Sequence, residues 1–415
     1  MKQMKVKIQI LCNLIIVSAL TGFIPWAASS SAASQEQAIY IFSGGADGAH
    51  PDGSLITDSA GNLYGTTDEG GTNNYGTVFK LSRGANGRWT ETVLHSFNNA
   101  DGAHPEGSLI FDSSGNLYGT TSMGGSFAVG TVFELSPGPH GTWTEKVLHS
   151  LRGTDGAYPY GGLAFDTQGN LYGTAYQGGH HSQRCYYGCG SVFEVSPIGN
   201  GQWTGKAIYL FKGNDGSAPF STPVFDSAGN LYGTTTGFSS GNLGNVFELT
   251  PDGTGNWTET VLHNFTGPDG SQPYAGLIFD SAGNLYGTTY QGGTAGFAGT
   301  VFELTPGGTG NWTETVLHSF NNSDGSFVYA GVVFDSLGNL WGTTSGYGSD
   351  LGSIYKLTPN GGGTWAITVL HTFTDIQVNG GVAFDAAGNA YSTSYGGGNL
   401  SGCDEGCGMV FQVKP

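Results

Sequence analysis

From residue 38 onward the apolar residues come in short runs, each closed by Gly, Asn, Asp, Ser or Pro. One group of four shows the pattern. Gly107-Ser-Leu-Ile-Phe-Asp112 leads to Asn116-Leu-Tyr-Gly-Thr-Thr121, then Gly130-Thr-Val-Phe-Glu-Leu135, then the run Trp143 to Leu151. β-branched and aromatic residues fill the runs and turn formers bound them, which is the signature of strands. No window beyond the leader has helical apolar spacing over two turns, so the pattern predicts an all-β chain.

The four runs differ in alternation. The first is continuously apolar, as in Leu277-Ile278-Phe279 and Val332-Val333-Phe334, which suits a strand buried on both faces. The fourth alternates and carries Thr and Glu, as in Trp312-Thr-Glu-Thr-Val316. Charges of that kind protect an outer edge from pairing with another chain.

The group recurs seven times. Gly-Asn-Leu-Tyr-Gly-Thr or a close variant begins at Gly61, Gly115, Gly169, Gly229, Gly283, Gly338 and Gly388. A long period of short strands marks an array of one β unit. The seventh unit has three runs, and the missing fourth matches the segment Ala38-Ile-Tyr-Ile-Phe42, which resembles Ala207-Ile-Tyr-Leu-Phe211. Closure by that segment leaves no wet blade face. The expectation is a seven-bladed β-propeller with four-stranded antiparallel blades. The blades fall near 53–97, 107–151, 161–211, 221–265, 275–320, 330–373, and 380–413 joined by 38–42, in one domain over 38–415.

Residues 1–33 read as a secretory signal peptide: Lys2, Lys5 and Lys7, an apolar run, then small residues. Of 13 basic residues these three leave 10, against 31 acidic ones. That balance disfavours nucleic acid and anionic membranes as partners. The expectation is a secreted, extracellular or periplasmic monomer, with no membrane attachment after cleavage. Four cysteines remain in two equivalent loops, Cys185 with Cys189 and Cys403 with Cys407. In an exported chain they favour two local disulfides over a shared zinc site.

Most repeated polar residues read as scaffold. The Asp-x-x-Gly-Asn turns, with Asp112, Asp226, Asp280 and Asp335, suit side-chain-capped turns. His95, His149, His263, His318 and His371 share one place in the fourth run, where Tyr40 and Tyr209 also occur. The Trp that opens this run is expected to cover the turn before it.

The candidate ligand residues lie in the loops from the fourth run to the next first run. They are Asp101, Asp155 and Asp269 of the Asp-Gly pairs, Tyr158, and the aromatic series Tyr160, Phe220, Tyr274 and Tyr329. Aromatic faces beside carboxylates suit a glycan or another surface polymer, or a Ca2+ ion. A longer loop in the third repeat adds His180, His181 and Arg184 as a further metal or anion candidate. No nucleophile motif, phosphate loop or zinc signature occurs, and no organic cofactor is implied.

The unit Asp-Gly-x-x-Pro-Tyr-x-Gly-Leu…Asp-x-x-Gly-Asn-Leu-Tyr-Gly-Thr-Thr…Gly-Thr-Val-Phe-Glu-Leu-Thr resembles the tandem repeat of the choice-of-anchor GloVer family of exported bacterial proteins. The segment Asp269 to Thr305 fits it best. The resemblance implies export and a propeller-like array, and carries no reaction. Three functions remain open from the residues: a non-catalytic binder of carbohydrate or another extracellular ligand, a polysaccharide lyase or hydrolase using rim carboxylates and His, and a protein-interaction module.

Overall fold

The computed structural model describes residues 36–414 apart from 184, 238–241, 309, 347–351, 375, 400 and 404. The leader proposed for residues 1–33 lies outside the described residues. The described chain forms seven four-stranded antiparallel sheets. It contains no α-helix and one short 3-10 turn, Pro139–Gly141. Six sheets run in chain order from innermost to outermost strand. The seventh joins Ala383–Phe384, Ala390–Ser394 and Met409–Val413 to the N-terminal strand Glu36–Ile41. This is the seven-bladed propeller, and its ring is closed by the two ends of the chain.

The closing strand behaves as an ordinary outer strand. In the other blades a bulge shifts register just after the third strand's first Val, as between Val192↔Tyr209 and Phe193↔Ala207. The seventh has the same shift, between Tyr40↔Val410 and Ala38↔Phe411. Phe42 is fully buried and meets Phe79 of the first blade edge-on.

Each part of the Leu-Tyr-Gly-Thr-Thr motif has a separate physical task. The Leu is buried at 0% exposure in every blade that has it. The Tyr stands between blades, with the next blade's Phe and Trp edge-on to it: Tyr172 meets Phe225 at 5.0 Å and Trp257 at 6.0 Å. The Trp residues therefore cover a neighbouring blade rather than their own turn. The Gly is needed because the third strand's Phe lies on it; a Cβ on Gly173 would stand 2.4 Å from Phe193 Cζ.

The first Thr welds blades together. Its hydroxyl donates to a loop carbonyl of the following blade: Thr120 to Gly161 at 2.8 Å, Thr174 to Ser221 at 2.7 Å, Thr288 to Ala330 at 3.0 Å and Thr343 to Gly380 at 3.0 Å. Thr393 closes the circle onto Gly53 at 3.3 Å. The second Thr bonds across to the third strand, as Thr121 does to Thr131 at 2.8 Å.

The Asp-x-x-Gly-Asn turns are capped by their own Asp. In blade two, Asp112 accepts from the Ser114 and Asn116 amides through one oxygen, and from the Asn116 side chain and the Tyr118 hydroxyl through the other. Burial pushes the Asp112 carboxyl up, but the hydrogen bonds from Asn116, Ser114 and Tyr118 outweigh it and hold the group below its ordinary value. Asp58, Asp166, Asp226, Asp280, Asp335 and Asp385 repeat the arrangement.

Candidate ligand-binding mouth

Six of the seven loops from an outer strand to the next innermost strand descend to the central channel in three steps; the loop into the seventh blade has no Asp-Gly pair. The first is the Asp-Gly pair. Asp155 accepts from the Arg152 amide at 2.7 Å, and His149 Nε2 lies 2.8 Å from its other oxygen. Asp101 accepts from the Asn98 amide and lies 3.3 Å from His95; Asp269 accepts from the Thr266 amide and lies 3.0 Å from His263. Tyr209 serves Asp215 in the same way at 2.8 Å. Burial lowers the affinity of His95 and His318 for a proton, and the facing Asp only partly restores it. The structure thus places these carboxylates as ties between loop and strand, and none lines the channel.

The second step is a left-handed residue. His50, His104, Tyr158, Ala218, Gln272 and Phe327 have φ between 55° and 61°. Side chains adopt this region at a cost of about 1–3 kcal/mol. Here the turn aims each N–H at the preceding blade: Tyr158 donates to the Val129 carbonyl at 2.9 Å and Gln272 to the Leu243 carbonyl at 2.7 Å. At two such joints the acceptor is a disulfide cysteine, Cys189 for Ala218 and Cys407 for His50. Both expected disulfides, Cys185–Cys189 and Cys403–Cys407, are formed.

The third step reaches the channel. Two residues beyond the left-handed position stand Asp52, Glu106, Tyr160, Phe220, Tyr274 and Tyr329, and Asn379 takes the corresponding place in the seventh blade, where Gln377 is not left-handed; the seven surround a cavity of about 850 Å³. This ring is divided. Four consecutive blades supply aromatic rings that pack together: Tyr160 stacks on Phe220 at 4.7 Å, Phe220 meets Tyr274 edge-on at 5.0 Å, and Tyr274 stacks on Tyr329 at 5.5 Å. Tyr176 and Tyr290 support them from the ends of the second strands. Three consecutive blades supply Asn379, Asp52 and Glu106. Ser345 donates to Asn379, Asn379 to Asp52 Oδ1, at 2.7 Å each, and Ser122 to Glu106 Oε1 at 2.8 Å.

The polar half holds charge at close quarters. Asp52 is only 9% exposed. Burial, helped by Asp68, pushes its carboxyl up to about 7 despite the Asn379 hydrogen bond. Burial and then Asp52 push Glu106 well above the carboxylate range. Asp68 in turn holds His104 at 2.9 Å and raises its basicity. No Lys or Arg lines the cavity. Among the described residues, Asp52 Oδ2, Glu106 Oε2 and the hydroxyls of Tyr160, Tyr274 and Tyr329 have no protein hydrogen-bond partner.

The sequence reading named the aromatic four but not Asp52, Glu106 or Asn379. The signal was available, because all seven occupy one column when the repeats are laid over each other. In that alignment the Asp of the Asp-Gly pair recurs, whereas the mouth position varies from blade to blade. Tyr158 takes the left-handed place and gives its carbonyl to the Tyr176 amide. His180 and His181 are exposed on the disulfide loop, His181 Nδ1 lying 3.0 Å from the Tyr186 carbonyl, and neither lines the cavity. Arg184 lies outside the described residues.

Metal-type donors converge elsewhere. His95, Asp101 and Glu145, and likewise His263, Asp269 and Glu314, bring three ligand atoms within 4.8 Å of one another between outer strands. These are the groups among the described residues that could hold a cation such as Ca2+. The loops around the mouth also carry exposed apolar side chains, Phe127, Tyr186, Tyr187 and Phe297. No helix among the described residues is long and apolar enough to cross a membrane.

The chain is a repeat-built propeller, and comparison places it among its kind. It belongs to the Gloeobacter/Verrucomicrobia repeat family, whose pattern matches residues 28–184 and 181–411. No curated protein matches it in sequence. An ancestral GH74 enzyme superposes with a TM-score of 0.58 at 12% identity, over 88% of this chain and 48% of its own, so this chain spans about half that enzyme's length. A chain of the mitotic checkpoint complex superposes with a TM-score of 0.52 at 12% identity, over 99% of each chain. A luciferin-regenerating enzyme gives a TM-score of 0.46 at 14% identity, over 92% and 95%. At these identities the likeness is one of fold alone.

Proposed function

We propose that the protein is an exported, non-catalytic binder of carbohydrate, and that the ligand seats in the divided mouth. The carrying observation is the aromatic half-ring of Tyr160, Phe220, Tyr274 and Tyr329 facing Asn379, Asp52 and Glu106 across an 850 Å³ cavity. Ring faces take the C–H face of a sugar, and fixed polar groups take its hydroxyls; pockets of this size use a few placed polar groups for orientation. The free Tyr hydroxyls support this, since half-buried Tyr normally finds a partner. Export is supported by the leader-like N-terminus and the two disulfides. The lyase or hydrolase reading calls on His180 or His181 beside the rim carboxylates, and neither His lines the cavity.

Glycan-array and calorimetric binding test the reading. Wild type binds a subset of polysaccharides, and Tyr160→Ala and Tyr274→Ala each weaken binding about tenfold or more while the circular dichroism spectrum is unchanged. Absence of binding to every glycan class, or binding untouched by both substitutions, overturns it.

A further inference from the structure

Resting on that reading, we propose that the preferred ligand carries protonated amines: the mouth recognises an amino-sugar polymer, with an ammonium group between Asp52 and Glu106 and the sugar faces on Tyr160, Phe220, Tyr274 and Tyr329.

The argument begins with what the acidic half leaves undone. Each carboxylate has one oxygen held, Asp52 Oδ1 by Asn379 and Glu106 Oε1 by Ser122. Among the described residues the second oxygen of each has no protein donor. Two acceptors from adjacent blades thus stand ready for donors that the protein does not supply. Asp52 is nine-tenths buried, and its second oxygen stays accessible from the cavity it lines, where a ligand's donor can reach it.

Charge narrows the donor. Asp68 lies close enough to raise the proton affinity of Asp52, and Asp52 and Asp68 that of Glu106, and the lining offers no Lys or Arg as counter-charge. A neutral sugar can bond to carboxyls that keep their protons, whereas an ammonium group also favours their ionised form and supplies the counter-charge that the lining lacks. The formal charge of −18 draws cations to the protein from a distance.

Geometry separates an organic cation from a metal ion. A bare divalent ion needs several donors around one point. Among the described residues the triads of metal-type donors within 4.8 Å lie among the outer strands, and none is at the mouth. The mouth instead spreads its acceptors over neighbouring blades and faces them with ring surfaces. Aromatic faces also attract a cation, by about 0.5–2 kcal/mol.

The test compares two oligosaccharides of equal length, a β-1,4-linked N-acetylglucosamine oligomer and its de-acetylated glucosamine counterpart. Calorimetry is run at low salt at pH ~7, below the range of about 7.7–8.0 in which an α-amino group titrates, so that such amines are mostly protonated. The expected result is binding of the amine oligomer about tenfold or more tighter than the neutral one, weakened by added salt. Glu106→Gln and Asp52→Asn should each bring the ratio of the two affinities to about one, a ratio in which any loss common to both oligomers cancels. Glu106 is partly exposed, so its variant stays informative if Asp52→Asn fails to fold. Equal or tighter binding of the neutral oligomer, or a preference that survives Glu106→Gln, overturns the inference and leaves carbohydrate binding standing. Binding of neither oligomer, with no other glycan retained, overturns both. Stoichiometric displacement of the amine oligomer by CaCl2, absent in Glu106→Gln, would make the pair a metal site and also overturn the inference.

Discussion

Two rings of residues circle the channel, and they follow opposite rules. The weld ring is Thr66, Thr120, Thr174, Thr234, Thr288, Thr343 and Thr393, the same residue seven times, each hydroxyl reaching the next blade. The mouth ring is Asp52, Glu106, Tyr160, Phe220, Tyr274, Tyr329 and Asn379, and it changes kind halfway round. A closed ring needs the same joint at each interface, so joints repeat. A ligand without seven-fold symmetry needs different groups in different directions, so recognition breaks the repeat. In such a protein the varied column, rather than the constant one, is where to look for function.

The difference is tested by asking which substitutions cost stability and which cost binding. The largest effect belongs to ring closure. Phe42 is wholly buried where the N-terminal strand completes the seventh blade and meets the first. Phe42→Ala should cost about 3–5 kcal/mol in urea unfolding. At the mouth, Phe220→Ala should cost far less, because Phe220 is only half-buried, yet abolish glycan binding. If Phe42→Ala left the unfolding midpoint unmoved, closure by this strand would be energetically idle.

Next comes the motif glycine. Gly173→Ala forces a Cβ within 2.4 Å of Phe193, and overpacking of this kind costs about 1–3 kcal/mol. The seventh blade already accommodates Ser392 at this place, buried opposite Phe411. The cost is therefore set by how far Phe193 can yield. Equilibrium unfolding should show the loss with ligand affinity intact.

The welds are smaller individually. Thr174→Val removes one hydroxyl and leaves the Ser221 carbonyl without its donor, a loss of about 1 kcal/mol. Thr174 and Thr343 sit in blades three and six and share no partner. Their Val substitutions should add, as separated sites do within about 0.5 kcal/mol. A double variant no worse than either single one would show that the welds do not act independently.

The seven blades, their four strands and the closing segment were legible in the sequence because each rests on local signals repeated seven times. Asp112 capping its own turn was legible for the same reason: turn and side chain are neighbours in the chain. What stayed hidden depends on neighbours in space. Thr120 meets Gly161 only because blades two and three pack side by side. Trp257 lies on Tyr172 of the preceding blade, not over its own turn. The acidic half of the mouth was hidden differently. Asp52 and Glu106 each follow a Pro that also precedes Tyr160, but a chemical reading groups aromatics with aromatics and overlooks acids in their column. The Asp of Asp-Gly drew notice by recurring, and the structure gives it a bond to the outer strand's His or Tyr instead of a place in the cavity.

The smallest effect uses the outer strands, where the repeat is imperfect. Glu36 takes this place in the seventh blade, Gly205 in the third and Ile367 in the sixth, whereas Glu91, Glu145, Glu259 and Glu314 take it in the other four. Burial, reinforced by Asp47, Asp101, Asp215 and Asp269 respectively, pushes these carboxyls up to about 7. An acid whose pKa rises on folding holds more protons folded than unfolded between the two values. Its contribution to stability is therefore fully present below about 4.5 and is lost as pH climbs through about 7. The melting temperature should fall between pH ~5 and pH ~8, with Glu145→Gln and Glu314→Gln together flattening the decline. Asp52 has the same sign, raised to about 7 by its burial. A bound ammonium group favours its ionised form, so the amine oligomer should flatten the remaining slope while the neutral oligomer leaves it. A melting temperature that rises across this window would mean that these carboxylates are ionised and paired in the folded protein. The outer Glu positions would then belong with the cation-binding triads rather than with the neutral joints between blades.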